Sequence, residues 1–293
     1  MIYSKENPVQ PTSETEYSLS PAEIDSIVTA VYYRFGYDYR EFERQSLSRR
    51  LQRFMRIHKL TNAFVMWQRL LHDPEIIASF NAEISVGLTS FYRDPAVWKT
   101  LRILLMTMAR KQTVLRIWHA GTSTGEEVYS MLLLLQFAHM HHKTFLNATD
   151  INFQFVKQAA RGFFEANQVG EFRKKMEEAG MPESRLSSNY KIDEQGNVQF
   201  DKKLTKNTTF SQENLLNCKA ASHAHYDMIL CRNVMIYFKQ QAKLSVLQFF
   251  CDQLRPGGFL VLGLFDSVLP DSLPKGLEIH NLSQRIYRKK QEA

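Results

Sequence analysis

The spacing of hydrophobic residues changes near residue 95, and this change limits the folds open to the chain. Up to about residue 86, apolar side chains recur with the spacing of amphipathic helices. Breaks near residues 36–38, 59–62 and at Pro74 divide this stretch into four predicted helices. The first begins at Ser20, a capping residue followed by proline. The sequence therefore predicts a small N-terminal all-α bundle.

Beyond residue 95, short apolar segments alternate with helical ones. Such alternation is typical of an α/β fold in which a mainly parallel, Rossmann-like sheet carries helices on both faces. A closing hairpin, 277–280 with 284–288, is predicted to add an antiparallel edge. The other predicted strands are 114–118, 144–148, 226–230 and 259–262, and the predicted helices are 126–139, 152–161 and 240–254.

Composition divides the chain further. Polar residues with two prolines predict a mobile tail at 1–18, followed by a helical domain at 19–90 and the sheet domain at 91–293. Residues 165–206 interrupt the alternation with a charged helix at 171–179 and short strands around Gly196. We interpret this stretch as a small inserted β subdomain.

The chain is basic. Lys and Arg outnumber Asp and Glu by 37 to 30, for a net charge of +7. This excess favours an anionic partner, which can be nucleic acid, a membrane surface or an acidic protein. The N-terminal residues form no apolar signal core, and the longest aliphatic run, 131–135, is too short to span a bilayer. We therefore predict a cytoplasmic protein with no direct membrane insertion.

Cysteine and histidine spacing predicts no metal site. Cys218, Cys231 and Cys251 lack the CxxC spacing of zinc sites and are predicted to be reduced thiols. The histidines at 139, 141 and 142 have no Cys, Asp or Glu beside them to complete a ligand set.

A glycine-containing turn follows the first predicted strand, at residues 118–127 (WHAGTSTGEE). In doubly wound sheets, ligands bind beyond the carboxyl ends of the strands, where such a turn lets the backbone approach closely. The segment is neither GxGxxG nor a nucleoside triphosphate loop. Glu126 and Glu127 at the helix start would repel a phosphate and attract a cationic group. The alternative interpretation is that both acids simply complement the helix dipole.

Asp150 ends the second predicted strand, where nucleoside-binding sheets hydrogen-bond ribose hydroxyls. The alternative is that Asp150 caps the following helix. Together with the acids of the first turn, Asp150 predicts a nucleoside that is unphosphorylated and positively charged. S-adenosyl-L-methionine meets both requirements.

Three motifs carry a family resemblance: residues 88–93 (LTSFYR), 120–127 (AGTSTGEE) and 231–238 (CRNVMIYF). They resemble the bacterial chemotaxis receptor methyltransferases of the CheR family, and the resemblance extends from about residue 20 over nearly the whole chain. It implies an S-adenosyl-L-methionine-dependent methyltransferase fold. It also implies methyl-ester formation on glutamates of the cytoplasmic signalling helices of chemoreceptors, with S-adenosyl-L-homocysteine as the product.

The resemblance assigns roles to matching residues. Asp150 would hold the ribose, Asn214 and Leu215 would bracket the adenine, and Glu126 would face the ammonium of the cofactor. The implied cofactor contacts are Thr89, Arg93, Ala120, Glu126, Asp150, Asn214, Leu215, Arg232 and Asn233. The implied catalytic residues are Arg93 and Tyr237. Arg232, Asn233 and Tyr237 would border the acceptor carboxylate.

These roles agree with the chemistry. The methionine end of the cofactor is zwitterionic, and Arg93 and Glu126 supply one charge of each sign. A glutamate acceptor, with an ordinary pKa of about 4.3, is already ionised at neutral pH and needs no general base. Catalysis then depends on positioning the carboxylate, for which the Tyr237 hydroxyl and an arginine are suitable donors. The alternative is that Arg232 and Tyr237 serve only the fold.

Residues 44–59 contain six Arg or Lys and no acid. Helical spacing places an apolar stripe on one face of this helix and a basic stripe on the other. A stripe of one charge sign predicts an anionic partner, and in the family an equivalent helix docks on receptor helices. Nucleic acid is the competing target. The predicted docking residues are Arg49, Arg50, Arg53 and Arg56.

The chain departs from the family pattern at three places. Gly87 stands where an Asn is common, and residues 264–266 (LFD) replace a more polar stretch; both departures leave room for weakened turnover. The insertion lacks the Arg- and Gly-rich loop with which some members bind a receptor C-terminal peptide. We therefore predict an enzyme independent of such a tether.

Two other functions remain open at this point. A nucleic-acid methyltransferase is favoured only by charge, because residues 232–235 lack the prolines of the turn typical of base-methylating enzymes. A non-catalytic, cofactor-binding adaptor of a chemosensory array is compatible with the same motifs.

Overall fold

The computed structural model describes residues 17–85, 87, 89–110, 112–217, 225–266, 268 and 272–291. Most of the predicted tail at 1–18 and Cys218 lie outside these residues. In the described ranges, no helix is long and apolar enough to cross a bilayer.

Four helices form the N-terminal bundle, which confirms the predicted all-α region. A capping box starts α1, where the Ser20 hydroxyl accepts from the Glu23 N–H and the Glu23 carboxylate accepts from the Ser20 N–H. Asn62 and Asp73 cap the third and fourth helices through their side-chain oxygens. The helices are α1 (Pro21–Phe35), α2 (Arg44–Ile57), α3 (Ala63–His72) and α4 (Pro74–Ile84).

A seven-stranded sheet forms the second region, which confirms the predicted α/β architecture. Its strand order is β6-β2-β1-β7-β8-β10-β9. The first five of these strands run parallel, and the closing hairpin pairs antiparallel at the edge. The strands are β1 (Leu115–Ala120), β2 (Thr144–Asp150), β6 (Thr208–Gln212), β7 (Tyr226–Cys231), β8 (Leu254–Leu262), β9 (Leu277–Asn281) and β10 (Ile286–Lys289).

Helices cover both faces of this sheet and divide its core in two. On β7, Met228 and Leu230 join one apolar cluster, whereas Ile229 and Cys231 join the other. Alternate side chains of a strand point to opposite faces, so every residue of β7 is buried. The covering helices are α5 (Pro95–Ala109), α6 (Glu126–Phe137), α7 (Phe153–Arg161) and α10 (Gln240–Gln253).

The inserted region carries a second, three-stranded antiparallel sheet, in the order β3-β5-β4. Aromatic rings join it to the main domain, since Phe91 packs against Phe164, Phe172 and Phe200. Its elements are β3 (Phe163–Phe164), α8 (Ala166–Val169), α9 (Phe172–Glu178), β4 (Tyr190–Ile192) and β5 (Val198–Phe200).

Three elements differ from the sequence-based prediction. Helix α5 was not predicted, although Pro95 opens it and Trp98 is fully buried. Strand β6 was not predicted because it is a partly exposed edge strand with a single large apolar residue, Phe210. Strand β8 begins earlier than the predicted strand at 259–262, because Leu254 already pairs with Tyr226.

The bundle is joined to the sheet domain beside the carboxyl ends of the parallel strands. The Glu43 N–H donates to the Tyr237 carbonyl at 2.6 Å, and the Lys239 N–H donates to the Glu41 carbonyl at 2.9 Å. The rings of Phe42 and Phe238 pack together between these bonds. This strand-like connection brings α2 next to the segment that follows β7.

Candidate functional site

A cavity that opens to solvent lies beyond the carboxyl ends of β1, β2 and β7, and together with the space at its mouth it holds about 830 Å³ of empty volume. The chain leaves β1 toward β2 on one side and returns to β7 on the other, so the cavity occupies the switch point at which such sheets bind ligands. Eight of the predicted site residues line it: Thr89, Arg93, Asp150, Asn214, Leu215, Arg232, Asn233 and Tyr237.

The turn after β1 brings backbone close to this cavity. Gly121 has φ 83°, and a Cβ there would lie 2.4 Å from Val234 Cγ2, so only glycine fits. Thr122 and Ser123 belong to the cavity lining, and their hydroxyl oxygens are buried with no protein partner among the described residues. Buried polar groups need hydrogen bonds, so these hydroxyls suit a polar ligand.

Asp150 lies at the base of the cavity. Its carboxylate accepts from the Ser123 N–H at 2.8 Å and from the Asn152 N–H at 2.9 Å. Burial raises the pKa of Asp150 to about 6, although these backbone N–H groups oppose the shift. The helix cap of α7 is Asn152, whose side chain accepts from the Gln154 N–H. The alternative role of Asp150 as that cap is therefore wrong.

The two acids at the start of α6 point to different surroundings. Glu126 is buried outside the cavity lining, where it accepts from the Thr124 hydroxyl at 2.6 Å and from the Gln168 amide at 3.2 Å. Burial raises the pKa of Glu126, although its bonds to Thr124 and Gln168 and the charge of Arg93 oppose this shift. Ala120 is likewise buried at the end of β1 and does not line the cavity.

Glu127 lines the cavity and was not predicted as a site residue. Its carboxylate binds the Arg232 guanidinium at 2.9 Å and His119 Nδ1 at 3.1 Å. Burial raises the pKa of Glu127, but the charge of Arg232 and the bond to His119 outweigh burial and hold it below its ordinary value. The adjacent acids of the motif were the only sequence signal for Glu127.

Arg232 connects the segment that follows β7 to the cavity wall formed by Arg93 and Glu127. Its guanidinium is buried and donates to Asp94 at 2.6 Å and to the Arg93 carbonyl at 3.0 Å, in addition to Glu127. The alternative interpretation, that Arg232 serves the fold, is supported by these contacts, although the residue also lines the cavity. Arg93 itself is half-buried on the cavity wall.

Asn214 and Leu215 follow β6 and close the side of the cavity near the bundle. The Asn214 carboxamide donates to the Asp38 carbonyl at 3.4 Å and accepts from the Leu216 N–H at 3.0 Å. Leu215 presents a nearly buried apolar side chain to the cavity. An apolar wall beside a carboxamide suits a purine ring.

Two departures from the family pattern have structural counterparts. A Cβ at Gly87 would lie 2.8 Å from the ring of Phe155, so that ring occupies the place in which a side chain would begin. In the 264–266 stretch, Asp266 is buried and accepts three backbone N–H groups. The stretch therefore contributes one buried, hydrogen-bonded carboxylate to the region next to Asn233.

The basic face of α2 is smaller than predicted. Arg49, Arg53 and Arg56 are exposed, whereas Arg50 is half-buried. The Arg50 guanidinium donates to the Glu83 carbonyl at 3.2 Å and lies 5.0 Å from the ring centre of Tyr237. Helical spacing predicts that Arg50 is exposed like the other three arginines, but the contact between α2 and the sheet domain leaves it half-buried.

The part of the chain described by the structure contains no group of three His, Cys, Asp or Glu side chains that could hold a metal ion.

Family comparisons agree with this architecture. Residues 22–85 match the CheR methyltransferase all-alpha domain, and residues 87–281 match the CheR methyltransferase SAM-binding domain. Together these matches cover both the bundle and the sheet that surrounds the cavity.

Three relatives match nearly their full length. The methyltransferase Cher3 of Pseudomonas putida is 30% identical over 91% of this chain and 96% of its own. The chemotaxis protein methyltransferase of Salmonella typhimurium is 27% identical over 91% of this chain and 92% of its own. The protein of the same name from Listeria monocytogenes is 26% identical over 80% of this chain and 86% of its own.

Proposed function

The chain belongs to the CheR family of methyltransferases, and from this premise we propose that it methylates glutamate side chains of chemoreceptors. The coarser activity, methyl transfer from S-adenosyl-L-methionine in chemotaxis, follows from the family and its relatives. The choice of glutamate carboxylates on receptor signalling helices is the proposed part.

The observation that carries the proposal is the charge pattern in and beside the cavity. An arginine, Arg93, lies on the cavity wall, and a buried acid, Glu126, lies next to the lining residue Glu127 at the start of α6. The turn between β1 and α6 adds Thr122 and Ser123, whose hydroxyls lack protein partners in the described chain. A zwitterionic amino-acid group needs one cation, one anion and hydrogen-bond partners, and this arrangement meets all three needs.

The nucleoside half of the cofactor would occupy the other end. The Asp150 carboxylate has lone pairs left after its two backbone bonds, and these can accept from ribose hydroxyls. Asn214 and Leu215 would bracket the adenine. Thr89 on the cavity wall and the backbone at Ala120 would complete the contacts near the methionine portion.

The acceptor glutamate would enter beside Tyr237, between the cofactor site and α2. The Tyr237 hydroxyl and the Arg93 guanidinium can donate to the acceptor carboxylate and hold one oxygen in line with the methyl group. Arg232 is already bound to Glu127 and Asp94. We therefore assign it to supporting Arg93 rather than to contacting the acceptor.

The bound cofactor supplies an electrophilic methyl group on a sulfonium. The incoming carboxylate is ionised at neutral pH, so the protein does not have to remove a proton. Methyl transfer would form a C–O bond at the acceptor and break the S–C bond of the cofactor, so the opposite charges of carboxylate and sulfonium would both be lost. Residues that exclude water, such as Phe42 and Leu215 on the cavity lining, would favour this charge-neutralising step.

The exposed face of α2 supports a receptor partner. Arg49, Arg53 and Arg56 present positive charge, and Arg50 connects this helix to Tyr237 on the cavity wall. An acidic receptor helix docked there would bring its glutamates to the cavity. We propose that this contact is sufficient without a receptor C-terminal peptide, and that the protein acts on protein rather than nucleic acid.

Incubation with methyl-labelled S-adenosyl-L-methionine and a receptor cytoplasmic fragment tests the proposal. We expect incorporation that alkali releases, and mass spectrometry should locate the methyl groups on glutamate side chains. Parallel reactions with RNA and DNA test the competing acceptor. Cofactor binding without incorporation into any acceptor would contradict the proposal and favour the adaptor.

A further inference from the structure

Asp266 is a buried carboxylate that the mechanism above does not use. Its side chain is 1% exposed, in the turn that follows β8. Oδ2 accepts from the Asn233 N–H at 2.6 Å and from the Gly263 N–H at 2.8 Å, and Oδ1 accepts from the Ile236 N–H at 3.0 Å. Hydrogen bonds to an ionised acceptor are about twice as strong as neutral ones.

Two of these three bonds go to the turn that follows β7. Asn233 in that turn has φ 59°, a left-handed conformation that asparagine adopts more readily than other residues with a side chain. The bonds to Asp266 hold the turn in this conformation. A Cβ at Gly263 would lie 2.4 Å from the Asn233 nitrogen, so the two turns are in direct contact.

The turn held by Asp266 contributes Asn233 and Val234 to the cavity lining, and the lining residue Tyr237 follows the turn directly. The Oδ1 atom of Asn233 is buried and has no partner among the described residues. An acceptor in this state is suited to a donor group of a bound ligand. Its direction depends on the Asn233 backbone, which Asp266 fixes.

We propose that Asp266 is a positioning residue for cofactor binding, because its carboxylate holds the 233–236 turn with the Asn233 side chain directed to the cavity. The inference rests on the proposed function, in which Asn233 is a cofactor contact. It assigns a role to the 264–266 stretch, where the chain departs from the family pattern.

An Asp266→Asn substitution tests this role with little change in size. Asparagine has one acceptor oxygen where aspartate has two. Its NH₂ group would therefore face a backbone N–H that is left without an acceptor. We expect the dissociation constant of S-adenosyl-L-homocysteine, measured by calorimetry, to rise about tenfold. Asn233→Ala should weaken binding similarly, and the double variant should bind no more weakly than either single variant.

Asp227→Asn is the matched control. Asp227 is another buried aspartate, at the amino end of β7, and accepts from the Arg116 N–H at 2.7 Å and from Arg255 at 3.1 Å. Its loss should lower the melting temperature while leaving the affinity for the product unchanged. If the role of Asp266 were purely structural, Asp266→Asn would likewise lower the melting temperature and leave the affinity for the product unchanged.

Wild-type affinity in Asp266→Asn, or losses that add fully in the double variant, would overturn the inference. The proposed cofactor contact is tested separately by Asn233→Ala, because its effect does not depend on Asp266. Where Asp266→Asn fails to fold, Asp266→Glu decides the question. It keeps the charge but moves the oxygens by one methylene group, so we expect a severalfold loss of affinity, and wild-type affinity would overturn the inference.

Discussion

The Arg232 guanidinium donates a hydrogen bond to the main-chain carbonyl of Arg93 at 3.0 Å. One arginine thus holds the backbone of another, and the remaining donors of Arg232 bind Asp94 and Glu127. Arg232 follows β7, Asp94 precedes α5 and Glu127 lies on α6. This buried group therefore connects three segments around the cavity. The group thereby holds the backbone from which the Arg93 side chain extends.

Arg232→Lys should therefore impair catalysis through Arg93. Lysine keeps the charge but cannot reach three acceptors in the plane of a guanidinium. We expect kcat to fall about 10- to 100-fold in a methyl-transfer assay and the free energy of unfolding to fall by about 2–4 kcal/mol. Arg255→Lys, at the opposite end of the sheet in a half-exposed pair with Asp227, is the control and should leave kcat unchanged. Wild-type kcat in Arg232→Lys would contradict this role.

Glu126→Gln should weaken binding of the amino-acid end of the cofactor specifically. Removing the negative charge removes the partner proposed for the ammonium group. We expect affinity for S-adenosyl-L-homocysteine to fall about tenfold, while affinity for methylthioadenosine, which lacks the amino-acid group, stays unchanged. Calorimetry with both ligands separates these effects. An equal loss for both would show that Glu126 acts on the nucleoside site instead.

Cofactor affinity and protein stability should respond to acid in opposite directions through Asp150. Its pKa in the folded protein is raised to about 6, above the unfolded value, so the folded state binds the proton more tightly. Its contribution to the free energy of unfolding therefore increases as the pH falls from 7 toward 4. Ribose hydroxyls donate to the ionised form, so the dissociation constant should rise about tenfold per unit below pH 6.

Calorimetry and denaturant unfolding at pH 7 and pH 5 check this prediction. Asp150→Asn should bind the product weakly at both values and keep only the smaller pH dependence of affinity that protonation of Asp266 contributes. Part of the stability change should remain in this variant, because burial also raises the pKa of Asp266 to about 6. An affinity in the wild type that is constant between pH 7 and pH 5 would contradict the role of Asp150.

Charge reversal on α2 should impair receptor methylation without affecting cofactor binding. Arg53 is 66% exposed in its side chain, which lies 3.5 Å from the Glu83 carboxylate. Arg53→Glu should raise the KM for the receptor fragment about tenfold at low salt and less at high salt. Lys203→Glu is the matched control, because Lys203 lies away from α2. The carbonyl of its neighbour Leu204 is hydrogen-bonded to His141, which follows the carboxyl end of α6. Equal effects of both variants would indicate a non-specific charge effect.

The main features of the fold were predictable because periodicity carries them. Strand β7 is buried on both faces and is apolar throughout its central residues, and Ser20 and Asn62 mark helix starts by their capping chemistry. Strand β6 gave no such signal, since residues 208–212 (TTFSQ) pair at an edge with little burial.

The site was predictable at the ends of strands and less so inside helices. Asp150 ends β2 and lies at the cavity, as its position in the sequence indicates. Glu126 and Glu127 are neighbours on α6, about 100° apart around the helix axis. Packing decides which of them meets the cavity and which meets Gln168, and local sequence does not contain that information.

Contacts between distant segments were also beyond prediction. Arg50 has the helical position of an exposed residue, but the docking of the bundle places it over Tyr237. In the sequence, Asp266 is part of a stretch that departs from the family pattern. Its hydrogen bond to the Asn233 N–H forms only in the folded chain. Both cases depend on tertiary contacts between elements far apart in sequence.

A crystal structure of the complex with S-adenosyl-L-homocysteine tests the central claim most directly. We predict ribose hydroxyls within hydrogen-bond distance of the Asp150 carboxylate and the amino-acid group between Arg93 and Glu126. A product molecule bound outside the cavity, or with its amino-acid end away from both Arg93 and Glu126, would contradict the account.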